Sequence, residues 1–333
     1  ALQKITSPEE AREHYPNEPE LLANIDALFG EGAARVYVSL LDTGEEADVQ
    51  DALDRIEPDL GPGQVVAPEV VTTDELVKIA DWAWQTNRIA ILNGPDGANN
   101  TTLIALKDAV KASASGGRFA SLEADTLIIP GTASGQTREV SAAVVKAGLI
   151  ARNDITTSNP NLAAAGIQGQ CVYALGIKAE RTDRDRQTLA GEQINTFKLV
   201  YGQALRAYGY LTLADLTRFP HWWDLSGSRT IMAIRAREAA VAENHLFGQI
   251  DGEGQFLARY EGALRGELAD LARMGAIYHS EENPGYRVDV SPTVNPIDQL
   301  AQGRVTAQIT VRTSPHARVL SIRIIRRPIT QEV

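Results

Sequence analysis

The stretch GRVTAQITVRTSPHARVLSIRIIRRPITQEV (303–333) ends the sequence and carries its clearest β pattern. Two β-rich runs, Val305–Val311 and Val319–Arg327, flank a turn built on Ser314-Pro315-His316. In the second run the side chains alternate between two faces, as they do along a strand. Pro328 lacks the amide that further pairing needs. The pattern predicts a terminal strand that either closes its own domain or pairs with another molecule.

The composition excludes several classes of protein. The chain has 333 residues and a net charge of −11, with 44% hydrophobic and 23% charged residues. These proportions are typical of a soluble globular protein of two or three domains. Binding to nucleic acid needs clustered Lys and Arg to neutralise phosphates, and an acidic chain is unsuited to it. The apolar runs are all far shorter than the ~18 residues of a membrane span. We therefore expect no nucleic-acid partner and no membrane insertion.

Cysteine and histidine usage gives no sign of a metal site. A single cysteine, Cys171, lies among apolar residues, which predicts a small buried side chain and excludes an internal disulfide. The five histidines are scattered without the spacing of metal ligands. We predict no metal, no cofactor and no catalytic residue.

The order of predicted elements indicates an α/β domain followed by an α+β domain. Residues 1–33 are predicted to be a helical N-terminal segment, with Ser7 and Pro8 starting the first helix. Residues 34–169 alternate strand and helix, which favours a largely parallel sheet. Residues 170–317 mix strands and helices, and residues 318–333 form the terminal strand and tail.

Apolar periodicity places the individual elements. The predicted strands are Val36–Leu41, Gln64–Pro68, Arg88–Leu92, most of Phe119–Ile129, Gln170–Ala174, Phe197–Val200, Ala204–Tyr210 and Tyr286–Val290. The predicted helices include one capped by Thr73, then Thr101–Ala114, Arg138–Asn153, one starting at Ser226 or Ser228, and Gln255–Met274.

One loop is a candidate for enzyme chemistry. Gly94-Pro95-Asp96-Gly97 joins a predicted strand to a predicted helix, and such a turn can present amides to a phosphate. It lacks the Lys-Ser/Thr pair of a nucleotide phosphate loop and the G-x-G-x-x-G pattern. An ordinary strand-to-helix turn, capped by Asn100 or Thr101, explains the same residues.

Two groups of charged residues each have a structural and a functional interpretation. Asp42, Glu45, Glu46 and Asp48 either hold a cation or are exposed charges at a helix start. The signs alternate along Arg181–Arg186, which favours a solvated loop over a binding patch.

Six sets of residues occur in the order found in one protein family. They are Asp51–Asp54 with Pro58–Pro68, Ser141–Asp154, Asn159–Gly169, Ile194-Asn195, Tyr208–Leu213, and Gly303-Arg304 with the β-residues that follow. From Asp42 to its end, the chain resembles the contractile tail sheath proteins of bacteriophages and related injection systems.

The resemblance implies a structural protein. Sheath subunits form hexameric rings that stack helically around an inner tail tube, and their contraction drives the tube through the host envelope for genome ejection. The implied partners are further copies of the chain, the inner tail tube protein, and the baseplate and tail terminator proteins. The implied location is the virion, with assembly in the host cytoplasm. The alternatives from the residues themselves are a phosphate-ligand enzyme using Gly94–Gly97, or a monomeric binding module.

The resemblance also implies two contact regions. Neighbouring sheath subunits exchange strands through terminal arms, and residues 1–41 leave little room for an N-terminal arm, which we expect to lie upstream. The predicted C-terminal arm consists of Arg318, Val319, Leu320, Ser321, Ile322, Arg323, Ile324, Ile325, Arg326, Arg327, Pro328 and Ile329. The helix Gln255–Met274 lies where the family approaches the tube. Its candidate tube-facing residues are Arg259, Arg265 and Arg273.

Overall fold

A computed structural model describes residues 2–41, 48–202 and 204–318. The elements are β1 (Gln3–Ile5), α1 (Pro8–His14), α2 (Pro19–Glu31), β2 (Val36–Val38), α3 (Val49–Asp54), β3 (Gln64–Val66), α4 (Thr73–Gln85), β4 (Ile89–Asn93), α5 (Asn100–Ser113), β5 (Ala120–Glu123), β6 (Thr126–Pro130), β7 (Thr137–Ser141), α6 (Ala142–Thr157), β8 (Gly176–Ile177), α7 (Asp183–Gly191), β9 (Phe197–Leu199), β10 (Leu205–Ala207), α8 (Leu225–His245), α9 (Gln255–Arg273), β11 (Tyr286–Asp289), α10 (Ile297–Leu300) and β12 (Gln308–Val311). The mixed helix and strand content agrees with the predicted fold class.

A fully buried strand organises the first half of the chain. β4 pairs in parallel with β3 on one side and with β5 on the other. Ile89 and Ile91 point into one hydrophobic cluster with α6, while Ala90 and Leu92 point into a second with α4. The strand reads as a continuous apolar run because both of its faces are covered. The predicted parallel sheet is confirmed over these three strands.

The N-terminal segment is docked onto this core. The Ser7 hydroxyl accepts a hydrogen bond from the Glu10 amide at 3.1 Å, and Pro8 occupies the first turn of α1, as predicted. The prediction of helix throughout 1–33 is wrong at β1, which pairs antiparallel with β2. Alternation over three residues is too short to distinguish this strand from the start of a helix.

Gly148 lets α6 lie close to α2. A Cβ atom at this position would stand 2.8 Å from Glu31 Cβ and 3.2 Å from the Leu28 carbonyl oxygen. Glu31 is fully buried, and its carboxylate accepts hydrogen bonds from the Val172, Tyr173 and Ala174 amides at 2.9–3.1 Å. This side chain therefore takes the place of a partner strand over 172–174. The strand predicted over Gln170–Ala174 is reduced to an isolated antiparallel bridge between Gln170 and Arg206.

Three further predictions are corrected. Arg138–Ser141 belongs to β7, which pairs with β6, so the helix predicted from Arg138 begins only at Ala142. α4 begins after Thr72, not with Thr73 as its cap. α8 is capped by Asp224, whose carboxylate accepts from the Gly227 amide, and not by a serine.

One hydrophobic cluster contains residues from both sides of residue 169. Cys171, Phe197 and Met232 lie in the same cluster as Ile91 and Val145, so both sides of the predicted boundary share one interior. A separate cluster forms among α8, α9, β11 and β12. α8 joins the two, because Met232 belongs to the first and Ile234 to the second. The division into 1–33, 34–169, 170–317 and 318–333 stays a prediction.

Candidate assembly interface

β11 and β12 form a two-stranded antiparallel sheet that lies on α9. In the described residues neither outer edge of this pair has a partner strand. One face is covered, because Val288 is buried and Ile309 is half-buried against the α8–α9 cluster. A two-stranded sheet with a covered face and free edges can accept additional strands.

The register identifies the main-chain groups at the free edge of β12. The Arg312 amide donates to the Gly285 carbonyl at 2.8 Å, which fixes one hydrogen-bonded pair. Because such pairs alternate along an antiparallel ladder, the main-chain groups of Ile309 and Val311 face away from β11. They are the donors and acceptors that an added strand would use.

The chain that follows β12 is hydrogen-bonded to the rest of the protein. The Ser314 amide donates to the Ala276 carbonyl at 3.1 Å, and the Asn161 side chain donates to the Ser314 carbonyl at 2.9 Å. The neighbouring Asn159 side chain donates to the Met274 carbonyl at 2.8 Å, which adds a bond to the end of α9. The loop 159–161, part of the recognised motif, therefore holds the C-terminal stretch in place.

Two weaker contacts continue this attachment. A ring nitrogen of His316 lies 3.4 Å from the Asp224 carboxylate. The Arg318 guanidinium stacks 5.1 Å from the centre of the Trp223 ring and lies 3.4 Å from the Ala190 carbonyl. Arg318 is the only predicted arm residue among those described. The rest of the predicted arm, residues 319–329, and with it the predicted hairpin partner of β12, lies outside the described residues.

The predicted tube-facing arginines all lie on the exposed face of α9. Arg265 pairs with Glu261 at 2.7 Å, and Arg273 pairs with Asp270. Within the described part of the chain, Arg259 has no ion pair. α9 itself confirms the predicted helix, with Phe256, Leu264, Leu268 and Leu271 on its buried side. The contact of these arginines with a tube stays a prediction.

Polar groups of the Gly94–Gly97 loop form hydrogen bonds and an ion pair with other residues of the protein. The Gly94 amide donates to the Glu123 carbonyl at 2.8 Å. The Asp96 carboxylate accepts from the Thr126 hydroxyl at 2.6 Å and pairs with Lys178 at 2.7 Å. These bonds hold the pKa of Asp96 below its ordinary value, the Lys178 bond contributing most. A negative charge at the centre of the loop disfavours phosphate, so the geometry supports an ordinary structural turn. The helix cap is Asn99, and not Asn100 or Thr101 as predicted.

The charge run Arg181–Arg186 is not a solvated loop. Thr182 and Asp185 form a reciprocal capping box that starts α7. Arg181 pairs with the buried Asp125 at 2.9 Å, and Arg186 is buried with its Nε donating to the Phe197 carbonyl at 3.1 Å. The Thr182-x-x-Asp185 spacing is the feature of the sequence that predicts this helix start. The alternating charges of the run favoured a solvated loop instead.

The remaining charged candidates are accounted for by local contacts. Asp48 caps α3 by accepting from the Gln50 amide at 2.9 Å and pairs with Lys78 at 2.8 Å, as expected for a helix-start charge. Asp42, Glu45 and Glu46 fall outside the described residues. Cys171 is buried as predicted, and burial raises the pKa of its thiol far above the ordinary value. Across the described ranges, no group of three His, Cys, Asp or Glu side chains is placed to hold a metal, and no helix has the length and hydropathy of a membrane span.

Three solved structures match nearly the whole chain. A chain of the anti-feeding prophage baseplate aligns over 98% of this chain and 88% of its own length, with a TM-score of 0.78 and 14% identity. The sheath complex of an extracellular contractile injection system (PVC) in its contracted state aligns over 98% and 87%, with a TM-score of 0.78 and 16% identity. The contracted helical sheath of the anti-feeding prophage aligns over 98% and 88%, with a TM-score of 0.76 and 15% identity.

The chain has the fold of contractile sheath proteins. This confirms the resemblance seen in the ordered motifs at the level of the fold. No family model and no curated protein matches the sequence. At 14–16% identity the likeness is one of fold.

Proposed function

We propose that this protein is a structural subunit of a contractile sheath. Its copies stack as hexameric rings in a helix around an inner tail tube, and contraction drives the tube through the envelope of the target cell. The protein then acts in the virion tail or a related injection particle, after assembly in the host cytoplasm. It carries out no catalytic step in this role.

The sheet β11–β12, whose outer edges have no partner strand among the described residues, is the observation that carries the proposal. It lies on α9, beside the fastened chain that leads into the β-rich stretch Val319–Arg327. A strand from a neighbouring copy that adds to the free edge forms main-chain hydrogen bonds, each worth about 1 kcal/mol net. Because the donor and acceptor surfaces differ, this contact is head-to-tail and builds an open helix.

Contacts with the tube are proposed to be weak and polar. Arg259, Arg265 and Arg273 lie on the exposed face of α9, and exposed charged pairs contribute from a few tenths to about 1 kcal/mol each. Such contacts hold the tube in register and are released without a large cost when the sheath changes state. The baseplate and tail terminator proteins are the proposed partners at the two ends of the polymer.

Electron microscopy of the purified protein tests the proposal. A sheath subunit is expected to polymerise into striated tubes with six-fold symmetry. A preparation that remains a monodisperse monomer across protein concentrations and salt conditions would instead indicate a monomeric binding module. Stabilisation by nucleotides in a thermal-shift assay, lost in a variant altered at Asp96, would indicate the phosphate-ligand enzyme.

A further inference from the structure

A guanidinium group is enclosed by aromatic rings beside the first hydrophobic cluster. The Arg118 guanidinium carbon lies 4.7 Å from the ring centre of Trp84, 4.2 Å from that of Phe219 and 5.0 Å from that of Trp222. The three rings come from α4 and from the segment before α8, so the fold assembles this cage from distant parts of the chain. Stacking on aromatic faces is a favoured environment for arginine.

Two more arginines share these rings. The Arg235 guanidinium lies 4.9 Å from the centre of the Trp84 ring, and the Arg218 guanidinium lies 5.0 Å from the centre of the Phe219 ring. Arg235 is half-buried on α8, and Arg218 is exposed. Three positive charges are therefore gathered around two shared rings. We call Arg118, Arg218, Arg235, Trp84, Phe219 and Trp222 the arginine–aromatic patch.

Within the part of the chain that the structure describes, no carboxylate pairs with these three arginines. The Asp81 carboxylate, on the helix that carries Trp84, accepts from the Gly116 amide at 2.7 Å. Glu238, three residues beyond Arg235, makes no ion pair with it. Burial lowers the pKa of Arg118, and the nearby positive charge of Arg218 lowers it further. This direction agrees with two like charges that no described carboxylate neutralises.

The geometry leaves donors available for an anion. A guanidinium stacked on a ring engages the face of the group, while its N–H donors lie in the plane and point outward. The Arg235 guanidinium makes a long contact of 3.4 Å to the Trp84 carbonyl, its one side-chain hydrogen bond to a described residue. Carboxylates match the forked donors of arginine in a bidentate pair.

We propose that the arginine–aromatic patch binds exposed carboxylates of a second copy of this chain. The chain carries 43 acidic against 32 basic residues, so another copy presents a surface rich in carboxylates. One example is the exposed turn at Glu281 and Glu282, closed by the Ser280 amide donating to the Asn283 carbonyl at 2.8 Å. The inference rests on the proposed sheath function, because that function brings copies into contact. It adds a salt-sensitive contact that is separate from strand addition at β11–β12.

The first test compares polymer yield in charge-matched variants. Arg218→Gln/Arg235→Gln removes two charges of the patch, and Arg35→Gln/Arg184→Gln removes two from exposed arginines that have no ion pair in the described residues. Sedimentation at increasing NaCl measures the polymerised fraction. We expect the patch variant to form several-fold less polymer at low salt and to lose the salt dependence, with the control variant like the wild type. Equal yields in the two variants would overturn the proposal.

The second test reads the patch directly through its tryptophans. Poly-L-glutamate is titrated into unassembled protein while tryptophan fluorescence is recorded, because Trp84 and Trp222 lie against Arg118. We expect a saturable change in the wild type and the control variant and its loss in the patch variant. No change in the wild type, or tighter binding of polyphosphate than of polyglutamate, would overturn the assignment to carboxylates. A wild type that responds to polyglutamate but forms no polymer would contradict the sheath function and leave the patch supported.

Discussion

The side-chain amide of Asn161 donates a hydrogen bond to the carbonyl oxygen of Ser314 over 2.9 Å and across 153 positions of sequence. Asn161 is buried, and it follows the helix α6 that packs against the central sheet. Ser314 precedes the stretch that we propose to link neighbouring copies. The bond therefore connects the central core to the start of the linking segment. Force applied to that segment would be transmitted to the core through this bond.

Replacing Asn161 should weaken this connection. Asn161→Ala leaves the Ser314 carbonyl without its donor, and losing a buried hydrogen bond costs about 1–3 kcal/mol. We expect a fall of that size in the free energy of unfolding in urea, together with faster proteolytic removal of the C-terminal stretch. Asn17→Ala, at an exposed position, is the control. A proteolysis rate equal to that of the wild type would show that the segment is held by other contacts.

A buried ion pair predicts unequal effects for its two partners. Arg229 is 2% exposed, and its guanidinium pairs with Asp154, which keeps 40% of its side chain exposed. Asp154→Ala leaves a buried charge unpaired, at a cost of about 3–5 kcal/mol. Arg229→Met leaves a carboxylate that water can reach, so its cost should be smaller.

Urea unfolding of the two variants measures this difference. Arg287→Ala, which removes an exposed pair with Asp289, should cost less than about 1 kcal/mol and serves as the reference. If Arg229→Met proves as damaging as Asp154→Ala, the packing of the arginine side chain, and not its charge, governs this site.

The fold was predictable where one periodicity or one cap determined the local structure. β4, α9 and the Ser7 cap were found in this way, and so was the sheath resemblance from ordered motifs. Elements held by distant side chains were not. The Glu31 carboxylate accepts the hydrogen bonds of the amides of residues 172–174, which a neighbouring strand would otherwise accept. Glu31 lies more than 140 positions away, so no local sequence pattern predicts these bonds.

The assembly surfaces were predictable only in part. The exposed face of α9 follows from its helical periodicity, so the positions of Arg259 and its neighbours could be read from sequence. The arginine–aromatic patch could not be read, because Arg118, Arg218 and Arg235 come from separate elements that only the folded chain brings to shared rings. The open edges of β11 and β12 likewise depend on which strands pair.

Glu238 should make stability depend on pH. Burial raises the pKa of this carboxyl from 4.5 to about 7, and its Oε1 is buried without a hydrogen-bond partner among the described residues. A raised folded pKa stabilises the protonated form, so its contribution is present below pH 4.5 and is lost as the pH rises to about 7. Glu238→Gln should therefore raise the melting temperature at pH 8 more than at pH 4.5. Glu243→Gln, exposed on the same helix, should change neither. A pH-independent effect of Glu238→Gln would argue against burial of the ionised group.

Deleting Pro328–Val333 should weaken the link between copies and spare the fold. These residues follow the last predicted strand, so we expect their removal to take contacts from the neighbouring copy and to leave the fold of the subunit intact. The melting temperature of the unassembled protein should match that of the wild type, while polymer yield in sedimentation falls. An unchanged yield would place the linking role elsewhere, either in Val319–Arg327 alone or in a different segment.

Charge reversal on α9 should separate binding to the tube from self-assembly. Arg259→Glu/Arg265→Glu changes two exposed residues opposite the buried stripe of the helix, so the fold should be retained. Arg265 loses its pair with Glu261, an exposed contact worth less than about 1 kcal/mol. If these arginines face acidic groups of the tube, sheath assembled around purified tubes should fall several-fold while sheath polymerised alone is unchanged. Arg35→Glu/Arg184→Glu, with the same change in net charge, controls for general repulsion. Equal losses with and without the tube would assign this face of α9 to contacts between sheath copies.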